Sequence, residues 1–180
     1  GSIKTYQFPL EQAPTAYERV REWVKKGTQA YIVYPIVEES EKLDLKAAKE
    51  MYAHFLKYEF KDLKVGLLHG QMNRAETNSV MELFKSQQLD ILVATTVLEV
   101  GIDVPNANVM LIEHAERFGL SQLHQLRGRI GRGKKNAICL LLADARTEDG
   151  KSRLDAIVGT TDGFKIAQED LKIRGPGHYF

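Results

Sequence analysis

Three stretches limit the fold open to this chain: residues 90–95 (DILVAT), 108–112 (NVMLI) and 137–143 (AICLLLA). Each is apolar almost without interruption, and none shows the alternation of a strand with one wet face. Strands of that kind are buried on both sides, as in a parallel sheet covered by helices. Two shorter β-rich runs, residues 29–37 (QAYIVYPIV) and 64–68 (KVGLL), extend the sheet. Between the runs, apolar residues recur at helical spacing. Residues 14–26 carry Ala16, Val20, Trp23 and Val24, with Pro14 at the start and Gly27 past the end. Residues 45–58 are helical in pattern, and Asn73 with Glu76 makes a capping box that opens a helix to about residue 87. Strand and helix alternate, which predicts a three-layer α/β domain with a mainly parallel sheet over residues 1–144. Ligands are expected at the carboxyl ends of its strands.

After Asp144 the pattern turns helical, over residues 148–158 and 164–172, and breaks at residues 175–177 (GPG). This predicts a helical hairpin, residues 145–180, appended to the sheet domain and incomplete at Phe180. The chain is therefore expected to be a piece of a longer protein.

The charge balance is near neutral, +1 overall, so any binding of an anionic partner must be local. A single cysteine, Cys139, excludes an internal disulfide and suits a reducing compartment. No apolar run approaches the roughly 20 residues of a membrane helix, and a cytoplasmic location is expected. His54, His114, His124 and His178 lack any mutual spacing that suggests a metal, and the tyrosines and Trp23 read as packing residues.

The local charge lies in residues 122–135 (QLHQLRGRIGRGKK), where Arg127, Arg129, Arg132, Lys134 and Lys135 fall within nine residues without an acidic partner. Such density repels itself unless an anion sits within it. Residues 128–134 (GRIGRGK) fit the start of a phosphate-binding P-loop, G-x-x-x-x-G-K, but Lys135 stands where Ser or Thr should hold magnesium. The context is also reversed, with a helical pattern before and a strand after. No D-E-x-x cluster appears either, so the sequence offers no triphosphate cradle of its own. Gln125, Gly128, Arg129 and Arg132 instead form Q-x-x-G-R-x-x-R at a helix end. On a helix, positions three apart share a face, so Arg129 and Arg132 could aim at one target. A transferring phosphoryl group suits two guanidiniums, and such an arginine finger is worth about 10³ to 10⁵ in turnover. A basic helix end that caps carbonyls or touches DNA phosphates is the other reading, and spacing leaves both open.

The wider pattern resembles a known family. QLRGRIGR is similar to motif VI of superfamily 2 helicases, and residues 95–105 (TTVLEVGIDVP) to motif V. Leu68-His69-Gly70 followed by Arg74 resembles the LHG segment of that family, and residues 29–41 stand where motif IV lies. Together they mark the second RecA-like, P-loop NTPase-type domain of such a motor. Residues 116–129 (ERFGLSQLHQLRGR) resemble two close groups, RecG and the transcription-repair coupling factor Mfd, and both share a helical hairpin after motif VI. The IRGPG of residues 173–177 and the IVEESE of residues 36–41 favour RecG.

The resemblance implies the C-terminal motor lobe of an ATP-dependent helicase that translocates on branched or forked duplex DNA, in fork reversal, junction migration, recombination and repair. The alternatives are an Mfd-like motor and, in another class, a non-catalytic DNA-binding module. It implies ATP with Mg²⁺ as cofactor, held mainly by a first RecA-like domain, and no other metal. That domain and a wedge domain of the same full-length chain are the implied protein contacts, with no membrane and a monomeric state. Alone, the 180 residues are expected to be inactive. Residue by residue, Gln125, Arg129 and Arg132 would approach the γ-phosphate as catalytic groups. Gly101, Asp103 and Gly128 would meet the nucleotide, Asp103 by accepting from a ribose hydroxyl. Thr95, Thr96, His69, Gly70 and Arg74 would line the DNA strand. Arg153 and Arg174 of the hairpin would couple turnover to movement. Arg127 matches no phosphate contact of the family and is expected to face a neighbouring domain or solvent, and Glu99 is read as a salt-bridge link between motifs or as solvated surface.

Overall fold

The computed structural model describes residues 2–36, 40–95, 103–133 and 135–175. Six strands, β1 (Ile3–Phe8), β2 (Gln29–Val33), β3 (Val65–Leu68), β4 (Ile91–Ala94), β5 (Ala107–Ile112) and β6 (Ala137–Leu142), form one sheet in the order β1-β6-β5-β2-β4-β3. Every pairing is parallel. Strands β2, β4, β5 and β6 are buried at every residue, as their unbroken apolar runs require. Strand β1 escapes a reading by hydrophobicity because it is an edge strand, half exposed, with Lys4, Tyr6 and Gln7 turned to water.

Among the described residues six α-helices lie between and after the strands: α1 (Ala13–Lys25), α2 (Glu41–Lys57), α3 (Arg74–Lys85), α4 (Leu120–Arg127), α5 (Glu148–Gly159) and α6 (Gly163–Arg174). They divide the core in two. Alternate strand residues Ala30, Ile32, Val93, Val109, Leu111 and Leu140 face α1 and α2, where Tyr17, Phe55 and Phe60 pack edge to face. Their neighbours Tyr31, Val33, Leu92, Met110, Ile112 and Leu141 face α3 and α4. Leu154 and Ile157 of α5 and Ile166 of α6 join this second cluster, so the hairpin helices pack within the same apolar layer.

The helix boundaries follow local chemistry. At α3 the side chain of Asn73 accepts from the Glu76 N–H at 2.8 Å, and the Glu76 carboxylate accepts from the Asn73 N–H at 3.2 Å. Thr147 caps α5 by accepting from the Gly150 N–H at 2.9 Å, and Asp162 caps α6 through the Phe164 N–H at 2.9 Å. Helix α2 starts four residues earlier than its apolar spacing suggests, at Glu41, because its first turn is polar. Among the described residues no helix is long and apolar enough to cross a membrane.

Candidate nucleotide and DNA site

An all-parallel sheet has two chemically distinct rims, one at the amino ends of its strands and one at the carboxyl ends. The predicted site residues divide between them. Strands β5 and β6 run side by side in the same direction, so α4 must carry the chain from the carboxyl rim back to the amino rim. Arg129 and Arg132 follow α4 and precede β6, which puts them on the amino rim. Asp103, just before β5, lies there too. The expectation that ligand residues gather at the carboxyl ends therefore fails for this group: its loop leads into a strand instead of leaving one.

Nor do the two arginines meet through helical spacing. Helix α4 stops at Arg127, so Arg129 and Arg132 do not share a helical face. Gly131 ends the possibility, with φ +72° and no room for a Cβ, which would lie 2.7 Å from Ile3 Cγ1. The turn positions Arg132 by another route. Arg132 folds back so that its Nε donates to the Gly128 carbonyl at 3.0 Å, while its Nη1 forms an ion pair with the Asp103 carboxylate. Both partners stay more than half exposed, so the pair contributes little to stability and is open to a ligand. Tyr31 in β2 senses the cluster. Burial pushes its phenol up to about 12, Arg129 and Arg132 pull it down, and Asp103 pushes it up. Gln125 is exposed on the last turn of α4. Gly101 and Glu99 lie outside the described residues, as does Lys134.

The carboxyl rim holds the other group. Thr95 follows β4, and its N–H donates to the Leu68 carbonyl of β3 at 3.0 Å, so it sits beside His69. Among the described residues no partner meets the buried Thr95 Oγ1. The His69 Nδ1 accepts from the Gln71 N–H at 3.2 Å, and burial first, then Lys49, lowers its pKa. Gly70 and Arg74 are exposed next to it, Arg74 opening α3 directly after the Asn73 cap. Thr96 lies outside the described residues.

Arg127 overturns its expectation. It is 2% exposed, with Nη1 donating to the Ile157 carbonyl and, at 3.1 Å, to Thr5 Oγ1, while Nη2 donates to the Thr160 carbonyl at 2.7 Å. The two carbonyls stand at the end of α5, where the last carbonyls of a helix lack intrahelical partners. A guanidinium satisfies several of them in one plane. Burial pulls its pKa down, yet an arginine remains charged in a protein. Arg127 is thus the joint between α4 and the hairpin. Beside it, a Cβ on Gly163 of α6 would lie 3.1 Å from His124 Nε2, so glycine lets the two helices approach.

Arg153 donates from Nη2 to the Glu116 carbonyl at 3.2 Å, and among the described residues its buried Nε meets no acceptor. It lines a cavity of about 530 Å³ with His114, Arg117, Asp144 and Arg146. Arg174 pairs with Asp170 along α6 at 3.3 Å.

Sequence reasoning missed two features. Arg117 reaches Asp44 of α2 with both nitrogens at 3.0 Å, linking the segment before α4 to the helix after β2. Glu113, 5% exposed after β5, accepts at Oε2 from Tyr17 at 2.6 Å and Tyr34 at 2.7 Å. Burial pushes its carboxyl pKa up against the pull of those hydroxyls, and burial raises both tyrosines as well. The tyrosines read as packing residues, and a buried acid becomes visible only once three elements are brought together.

The conserved C-terminal domain of helicases matches residues 15–134. The chain belongs to that helicase family. RecG of Thermotoga maritima is 52% identical over 178 residues, covering 99% of this chain and 23% of that protein. RecG of Aquifex aeolicus is 58% identical over 170 residues, 92% of this chain and 21% of the relative. A solved structure of RecG bound to a three-way DNA junction is 48% identical, with a TM-score of 0.82 over 100% of this chain and 23% of that one. The second domain of the DEAD-box helicase Mss116p bound to an RNA duplex shares the fold alone, at 22% identity and TM-score 0.67 over 96% of this chain and 69% of that one. This helicase domain spans about a quarter of the length of the curated relatives it matches, 21% to 26%. Its six-stranded sheet is the RecA-like α/β fold of helicase C-terminal lobes.

Proposed function

We propose that this domain is the second motor lobe of a RecG-like, ATP-dependent translocase acting on branched DNA in replication-fork reversal, junction migration, recombination and repair. The observation that carries the reading is the likeness along the entire chain to RecG held on a three-way junction. The rim geometry supports it. Arg129 and Arg132 lie on the amino rim, Arg132 folded back onto the Gly128 carbonyl and paired with Asp103, in a domain whose sequence has no triphosphate cradle. The anion they await is the transferring phosphate of an ATP bound chiefly by a first RecA-like domain of the same full-length chain. Mg²⁺ would come with that ATP and offset the negative charge of its phosphates, and no side chain here is assigned to it.

In this reading Gln125, Arg129 and Arg132 approach the γ-phosphate, and Gly101, Asp103 and Gly128 line the nucleotide. Thr95, Thr96, His69, Gly70 and Arg74 contact DNA phosphates without reading sequence, as a motor that passes over any sequence requires. Residues 145–180, with Arg153 and Arg174, form the start of the coupling hairpin, and Arg127 is its fastening to motif VI. The full-length protein works as a monomer in the cytoplasm, its wedge domain splitting the branch.

The test is forked-DNA-stimulated ATP turnover of the full-length protein, as wild type and as Arg129→Ala. Loss by a factor of about 10³ or more, with nucleotide and DNA binding retained, is expected of an arginine finger. Near-normal turnover would mean that the basic cluster is a capping or DNA-phosphate feature.

A further inference from the structure

Helix α2 packs against β3, the edge strand that ends one residue before His69. Its buried side is Leu45, Ala48 and Phe55. Asp44 lies on one flank of that side and turns toward Arg117. Lys42, Lys46 and Lys49, spaced four and three apart, fall on the opposite flank and are all exposed. Among the described residues no carboxylate pairs with Lys42 or Lys49, and Lys46 meets only Glu50, at 3.9 Å with both side chains about 70% exposed. Lys49 lies close enough to His69 to oppose its protonation, while Glu76 favours it. Lys49 is thus held near the imidazole of His69 at the carboxyl rim.

We propose that the face of α2 carrying Lys42, Lys46 and Lys49 binds backbone phosphates of the duplex, extending past the sheet edge the DNA track of Thr95, His69, Gly70 and Arg74. The inference rests on the motor reading above and adds a surface outside the helicase motifs. Lys42 and Lys49 stand seven residue steps apart on the helix, or about 10 Å at 1.5 Å per residue. One DNA strand places a phosphate about every 3.4 Å of axis, so the stripe spans about three of them. Flexible ammonium groups suit this contact, since each follows a phosphate without fixing a sequence or a register.

The experiment measures binding of the full-length protein to a forked duplex across a salt series, with K42Q/K46Q/K49Q beside wild type. Glutamine keeps helix propensity, and circular dichroism checks the fold. Each lost phosphate contact should flatten the slope of log affinity against log salt by about 0.9, so a change of about 2 to 3 is expected. A variant with equal charge loss elsewhere, K4Q/K26Q/K61Q, should keep the wild-type slope. An unchanged slope in the α2 variant, an equal change in the control, or a wild type that binds no DNA would overturn the proposal. Junction-stimulated turnover, measured on the same wild-type preparation, separates the two readings. Its absence together with a flattened α2 slope would overturn the motor and uphold the surface. Its presence with an unchanged slope would do the reverse.

Discussion

Glu113 shows how much chemistry one buried side chain can carry. Folded, its carboxyl pKa lies above the ordinary carboxylate value because burial penalises the charge. The native state then holds a proton that the unfolded chain has released, so stability falls as pH rises. The contribution is complete below the unfolded value and is lost as pH climbs through the raised folded one. Glu113→Gln removes that titration. Urea midpoints of the two proteins should therefore shift in favour of the variant between pH 5 and pH 8, and a gap independent of pH would refute the assignment. Asp62 acts in the opposite sense: Arg21, at 2.5 Å, and then Lys25 hold its carboxyl well below the usual range, so its share fades only in acid. Comparison with the variant cancels it. Arg127 teaches a related lesson. Its type and place within motif VI were legible, but its direction was not, because the acceptors that claim it come from thirty residues downstream in α5.

Elements were easier to read than side chains. Capping chemistry and apolar spacing are local, so α1, α3 and the inner strands stood within a few residues of their observed ends. Strand β1 was missed because half of its surface is wet and its partner β6 is more than 130 residues away. The rim assignment of the arginines failed for a similar reason: a rule about strand ends cannot be applied until it is known which strand a loop enters. At α3 the local signal is strong enough to test alone. Asn73→Ala breaks the reciprocal cap and should cost about 1 kcal/mol, with faster hydrogen exchange at residues 74–77 and none at α4. A loss under about 0.3 kcal/mol would mean that tertiary packing of Met81 and Phe84 sets that helix without help from its cap.

At the scale of the molecule, the absence of a P-loop signature from the sequence makes a plain demand. The purified 180-residue chain should hydrolyse no ATP, with or without forked DNA. Turnover above background that disappears in Arg129→Ala would show instead that the arginines complete a site within this one lobe.

The two rims have a further consequence. They are separated by the length of a strand, about 13 to 20 Å at 3.3 Å per residue, and Thr95 and Asp103 stand on opposite ones. Only eight peptide units join them, which fully drawn out reach about 26 to 29 Å. That contour is the farthest that Asp103 and Thr95 can be parted, so beyond it neither rim can move without drawing the other after it.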